Sequence, residues 1–193
     1  MPREREFDPA AALESIMSLF WRQGYLDTSI EDLVAATGVS RYGLYGTFGG
    51  KQEMLLAALD HYAETVVGPR LSGMEGPEAS LASVYGYFEE LGHAAKSERR
   101  GTGCLMCSIA TELAPHDRAS AAKVKRHLAR MTAAFRNALT NAQRKGEIGP
   151  EVDVEAQAQF LTSTVQGTAV LHRAGSDQKT LETIVHVALS GLG

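Results

Sequence analysis

A chain of 193 residues with 44% hydrophobic residues and six prolines can hold one compact domain or two small ones, and it suits an all-helical globule. Its net charge of −4 argues against a nucleic-acid coat protein. Arg3, Glu4, Arg5, Glu6 and Asp8 crowd the start where a secretory signal needs an apolar run, and no segment approaches membrane length, so a soluble cytoplasmic protein with no membrane partner is expected.

Asp8-Pro9 reads as a helix opening, a capping residue before a proline at the first helical position, and Leu13, Ile16, Met17, Phe20 and Trp21 follow as one apolar stripe. Thr28 and Glu31 have the spacing of a capping box, which predicts a second helix with Ile30, Leu33 and Val34 inward. Gly38 supplies the left-handed position that ends it. After the turn Thr37-Gly38-Val39, Ser40 caps a third helix to about Thr47, with Leu44 and Phe48 inward and Arg41, Tyr42 and Tyr45 free to face out. Two short helices joined by a glycine-containing turn form a helix-turn-helix, whose second helix enters the major groove of DNA.

Helix 4 is predicted from Lys51 to about Val67, where Gly68-Pro69 should stop it, and a loop to Gly76-Pro77 should follow. A helix carrying Leu81, Val84, Tyr85, Phe88 and Leu91 comes next, then a polar loop from Lys96 to Gly103. The segment CLMCSIATEL reads as a short helix. A long one follows from about Ala119 to Lys145, with Val124, Leu128, Met131, Phe135 and Leu139 inward, and Gly146 to Pro150 end it. Asp153 should cap a helix to about Arg173, and Ser176 the last, to about Leu189. The expected fold is all-α with about nine helices and no repeat or convincing strand: a three-helix DNA-binding domain over residues 1–52 and a larger helical ligand-binding and dimerisation domain over 53–193.

The run GVSRYGLYGTFGGK, Gly38 to Lys51, resembles the pattern GVSxxxLYxxFxxK that marks TetR/AcrR-type transcriptional regulators, and Gly24 to Leu33 resembles that family's entry to its second helix. The motif covers roughly residues 8 to 60. Two positions depart from the pattern. Gly43 stands where Ser, Ala or Thr is usual, at an expected cost of about 1 kcal/mol relative to Ala. Gly50 stands at a cap mostly taken by Ser, Asp or Asn, which should be a few tenths worse than Ser. The resemblance implies a ligand-responsive repressor that binds a palindromic operator in double-stranded DNA as a homodimer and is released by a small-molecule or thiol-reactive effector.

Residues 1–55 hold five basic side chains against eight acidic ones, so DNA affinity must come from local geometry rather than from net charge. Thr28, Tyr45, Thr47 and Lys51 are the expected phosphate contacts, and Arg41 and Tyr42 the base readers: arginine pairs bidentately with guanine, and the tyrosine ring packs on a thymine methyl. Apolar surface on the last two helices, Phe160, Leu161, Val165 and Leu171 with Leu181, Ile184, Val185 and Leu189, is expected to form the dimer interface, by resemblance a four-helix bundle. Tyr62, Thr65, Tyr85, Phe88, Ile109, Phe135, Phe160 and Thr164 have the apolar-with-polar mix of an effector pocket.

Cys104-Leu105-Met106-Cys107 holds both cysteines, at a helix start and after Arg99 and Arg100. Three readings stand: buried structural thiols, a redox or electrophile sensor, or a metal site, the last lacking a ligand cluster because His93, His116 and His172 are scattered. Gly103-Cys104 with Glu112-Leu113-Ala114 resembles regulators that sense electrophiles through a cysteine here. A thiol-disulfide redox enzyme using Cys104 and Cys107 is the alternative from another class, but CxxC of that kind belongs beside a βαβ pattern. No Ser-His-Asp set, phosphate-binding glycine loop or HExxH is present, so neither enzyme activity, cofactor nor metal is expected.

Overall fold

The computed structural model describes residues 7–95 and 101–192, side chains of 93–95 excepted. Among these residues there is no strand. The helices are α1 (Pro9–Gln23), α2 (Ile30–Thr37), α3 (Arg41–Phe48), α4 (Lys51–Tyr62), a π-helical turn (Ala63–Val67), α5 (Gly68–Glu75), α6 (Leu81–Ala95), α7 (Leu105–Glu112), α8 (Arg118–Arg144), α9 (Val154–Arg173) and α10 (Gln178–Ser190). Because the π turn joins α4 to α5 without a break, these segments make nine helical rods.

Most helices start where a short polar side chain can serve the amides of the first turn. Asp8 accepts from Ala10, Asp117 from Ser120 and Asp153 from Ala156, at 2.7–3.0 Å. Two starts fall one residue later than the sequence pattern predicts. The capping box of α2 is Ser29 with Asp32, not Thr28 with Glu31, because the Thr28 hydroxyl is buried and donates to the Gly24 carbonyl. Likewise Asp177, not Ser176, caps α10, accepting from Thr180 at 2.8 Å.

The expected loop after Gly68-Pro69 is instead helical to Glu75. Proline has no N–H to return to the carbonyl four residues back, and the wider π turn absorbs that mismatch: the Gly68 N–H reaches Ala63, five residues back. Arg130 of α8 pins the turn from outside. Its guanidinium forks onto Glu75 at 2.6 and 3.0 Å and donates to the same Ala63 carbonyl at 3.4 Å.

The packing sets a small unit on a large one. α1 lies against α2 and α4, and α8 is the central rod on which α4, α5, α6, α7 and α9 pack, with α10 closing over α6 and α9. One apolar core runs through both, from Ile16, Phe20, Leu33 and Leu44 to Leu71, Phe135, Leu139 and Leu161, each fully buried and worth about 1.5–3 kcal/mol.

Candidate nucleic-acid interface and internal cavity

The helix-turn-helix presents α3 outward. Ser40 caps it by accepting from the Gly43 amide at 3.1 Å, and Gly38, at φ +69°, turns the chain between α2 and α3. Leu44 is fully buried beneath, so the opposite face is solvent-facing: Tyr42 is 89% exposed and Tyr45 44%. Arg41 is exposed and ion-paired with Glu31 of α2. Thr47 is half-buried at the end of α3, and Lys51 opens α4 with its ammonium over the Tyr25 ring, 4.2 Å from the centroid. Burial lowers the Lys51 pKa even though Glu112, Asp27 and Asp32 act to raise it. Thr28 does not belong to this surface, since its hydroxyl is turned inward and already bonded.

Gly43 has a structural reason. A Cβ there would stand 2.9 Å from Val39 Cγ1 and 3.3 Å from Ser40 Oγ, so alanine would crowd the tight turn instead of recovering the propensity difference.

Several polar links tie this unit to the helices behind it. The Glu112 carboxylate, at the end of α7, accepts the backbone amides of Tyr25 and Leu26. Gln52 donates to Asp117 at 2.7 Å. Trp21 Nε1 donates to the Gly103 carbonyl at 3.1 Å, and Arg173 of α9 donates to the carbonyls of Trp21 and Thr102. Gly103, at φ +64°, is demanded by contact: a Cβ would lie 2.6 Å from the Ala169 carbonyl oxygen.

Behind α1 and α4 lies a cavity of about 930 Å³. Of the residues expected there, Tyr62, Tyr85 and Phe88 line it. The others do not. Ile109 and Phe135 are fully buried core, Phe135 packing on Tyr87 and Phe88 at 5.4 and 5.9 Å between ring centroids. Thr65 is exposed on the π turn, Phe160 is 51% exposed on the far face of α9, and Thr164 bonds back to the Phe160 carbonyl. Sequence reasoning missed Trp21, Arg70, Tyr87 and His127 as cavity walls. Arg70 was hidden in a segment read as loop. His127 had a usable signal, for it lies three residues after Val124 and four before Met131 on the inward stripe of α8.

Cys104 is a wall of this cavity, the N-cap of α7, and its sulfur accepts from the buried Tyr62 hydroxyl at 3.6 Å. Trp21 stands edge-on to Tyr62, 4.8 Å between centroids. Burial drives the Tyr62 phenol well above its ordinary pKa, with Cys104 adding to the effect. Cys107 turns elsewhere, toward the Gln166 carbonyl at 3.9 Å, and burial raises its thiol pKa. Both thiols are free, and among the described residues no group of three or more His, Cys, Asp or Glu side chains could hold a metal. Arg99 and Arg100 lie outside the described residues, as does the first part of the polar loop, 96–100.

The surface of α9 and α10 differs from the expected interface. Leu161, Val165, Leu181 and Leu189 are buried within the protomer, and Val165, Leu181, Val185 and Leu189 line the cavity, because α10 folds its apolar side onto α6 and α9. Leu171 and Ile184 are half-buried. Phe160 remains outward, with Ser163, Gly167 and Val170 along the same face of α9, and Val187 on α10 is 64% exposed. Among the described residues no helix is long and apolar enough to cross a membrane.

Comparison with known proteins agrees with this architecture. Residues 12–58 match the family model for bacterial regulatory proteins of the tetR family, and residues 81–188 match that for the tetracyclin repressor-like C-terminal domain. The chain is 33% identical over 187 residues to the HTH-type transcriptional repressor ComR of Escherichia coli, covering 96% of this chain and 88% of ComR. It is 30% identical over 193 residues to the uncharacterized HTH-type transcriptional regulator YezE of Bacillus subtilis, covering both chains completely. Among solved structures, a cysteine-substituted CifR, a TetR family transcriptional regulator complexed with 26-base-pair operator DNA, superposes with a TM-score of 0.88 at 24% identity over 99% of this chain and all of that one.

Proposed function

Because the chain belongs to the TetR family of bacterial transcriptional regulators, we propose that it is a dimeric repressor whose operator affinity is set by a small effector in the internal cavity. The observation that carries this reading is the pairing of an outward α3, bearing Arg41, Tyr42 and Tyr45, with a roomy cavity directly behind the helices that hold it. Arg41 and Tyr42 face base edges in this reading, while Tyr45, Thr47 and Lys51 hold phosphates.

A single reading helix spans only a few base pairs, so two copies related by a two-fold axis read a palindrome. The exposed face of Phe160, Ser163, Gly167 and Val170 supports that assembly: Ser163 and Gly167 let two helices approach closely while Phe160 and Val170 bury apolar area. An effector changes DNA affinity only if it binds one arrangement of the readers better than the other. The cavity walls include Tyr62 before the π turn, Val67 at its end and Arg70 after it, so an occupant bears on the rod that carries Lys51. A thiol-reactive effector entering the cavity meets Cys104.

Selecting bound sequences from a random DNA pool, then screening the complex for release by small molecules and thiol reagents, tests this function. Recovery of a two-fold symmetric site and its release by a cavity ligand are expected; an unpatterned pool overturns the reading.

A further inference from the structure

We propose that the cavity is built for an organic acid: an apolar body carrying one anionic group, with Arg70 as counter-ion and His127 as a hydrogen-bond partner. This inference rests on the reading of the cavity as the effector site and names the chemistry of its occupant.

Arg70 lines the cavity just past the π turn and has no ion-pair partner among the described residues. Its charge reaches inward. It acts to lower the pKa values of the buried Tyr62 and Tyr87 phenols, against the burial that raises both. A cation on the wall of a largely aromatic space, ion-paired with no carboxylate, stays unmatched unless something anionic joins it there. Arg130, the neighbouring cation, is already matched by Glu75.

His127 is the second, independent sign. It is 5% exposed on the cavity wall, and neither ring nitrogen has a partner. Burial first, and Arg130 second, lower its pKa to about 4, so at neutral pH the ring is uncharged and offers one N–H donor and one acceptor. Buried polar groups without partners are rare in folded proteins, and one that faces a cavity marks where an occupant's polar atoms belong.

The aromatic and aliphatic part of the wall takes the body. Trp21, Tyr62, Tyr87 and Phe88 present rings, and Leu181 and Val185 present alkyl groups. The cavity's two carboxylates, Glu89 and Glu182, are on exposed residues of α6 and α10, so an acid enters with its charged end directed away from them. A cationic ligand would face Arg70, and a neutral one would leave its charge unmatched.

Trp21 is the single tryptophan and lies on the wall, which makes energy transfer from it a local reporter of occupancy. Two fluorescent probes share one ring system and differ in charge: 8-anilinonaphthalene-1-sulfonate and uncharged N-phenyl-1-naphthylamine. The anion is expected to bind about tenfold more tightly to the wild type, despite the protein's net charge of −4. Arg70→Gln should abolish that preference while leaving binding of the neutral probe, and Arg70→Lys should restore much of it. Equal or tighter binding of the neutral probe, an unchanged ratio in Arg70→Gln, or no transfer from Trp21 to either probe would overturn the proposal. Operator selection with the same wild-type protein fails separately if the regulatory reading itself is wrong.

Discussion

The Glu112 carboxylate accepts the backbone amide of Tyr25 at 3.2 Å, joining the last turn of α7 to the loop that enters the helix-turn-helix. The first turn of the same helix begins at Cys104 on the cavity wall. α7 has eight residues, so it is a rod about 12 Å long with the cavity at one end and the reader at the other. In the proposed regulation, α7 is the route by which a displacement at Cys104 would reach the loop before α2.

Glu112→Ala removes both bonds and leaves the amides of Tyr25 and Leu26 to water. A loss of about 1–2 kcal/mol in unfolding free energy is expected, the usual range for charge-assisted bonds near a surface. The sharper outcome concerns coupling. A cavity ligand should still bind the variant, by Trp21 fluorescence, but its effect on operator affinity should shrink. An undiminished effect would remove Glu112 from the transmission route.

Arg41 and Lys51 should fail in different ways. Arg41 is exposed and held by Glu31, a surface pair worth about 0–1 kcal/mol, so DNA can recruit it at small cost. Arg41→Ala should relax preference at one position of each half-site by about 1–3 kcal/mol. Lys51→Ala should weaken all sequences alike and reduce the salt-dependence slope by about one. Anisotropy titrations on operator and scrambled DNA at several salt concentrations distinguish them.

His127 gives the protein a pH-dependent stability term. The folded state holds the ring neutral down to about pH 4, whereas the unfolded chain takes up that proton near the ordinary histidine value of 6.5. Between these values the unfolded state binds more protons, so this contribution is complete above pH 6.5 and is lost as pH falls toward 4. Its size is about 3 kcal/mol. In urea unfolding, His127→Leu should lose less stability than the wild type between pH 7 and 4.5; parallel losses would show that burial does not hold the ring neutral.

The two cysteines should react in order. Cys104 lines the cavity, whereas Cys107 sits against α9 with its pKa raised by burial and by Cys104, which lowers its thiolate fraction at neutral pH. Iodoacetamide followed by mass spectrometry should therefore label Cys104 first, and Cys104→Ser should leave only the slow site. Faster labelling at Cys107 would reverse the assignment.

The reader was legible in the sequence because its signals are local. Ser40, Gly38 and Leu44 act within one turn of the chain, and their geometry follows from spacing alone. The capping box of α2 slipped by one residue because Thr28 has a carbonyl to serve at Gly24, which spacing does not reveal. The cavity was harder. Ile109 and Phe135 carry the same apolar character as Phe88, and only packing decides that they are core while Phe88 also faces the space. The α9–α10 surface failed for the same reason. Leu161, Leu181 and Leu189 are apolar enough for an interface, but periodicity does not say whether the partner is the protomer's own cavity or a second copy.

The central claim, a cavity-controlled reader acting as a two-fold pair, is tested most directly by sedimentation of the selected operator with wild-type protein and with Phe160→Glu. The wild type should load two protomers per palindrome, and the variant, which puts a charge on the exposed face of α9, should remain monomeric and bind DNA at least tenfold more weakly. A wild-type protein that binds the operator one protomer at a time, or a Phe160→Glu variant that still pairs and binds normally, would contradict it.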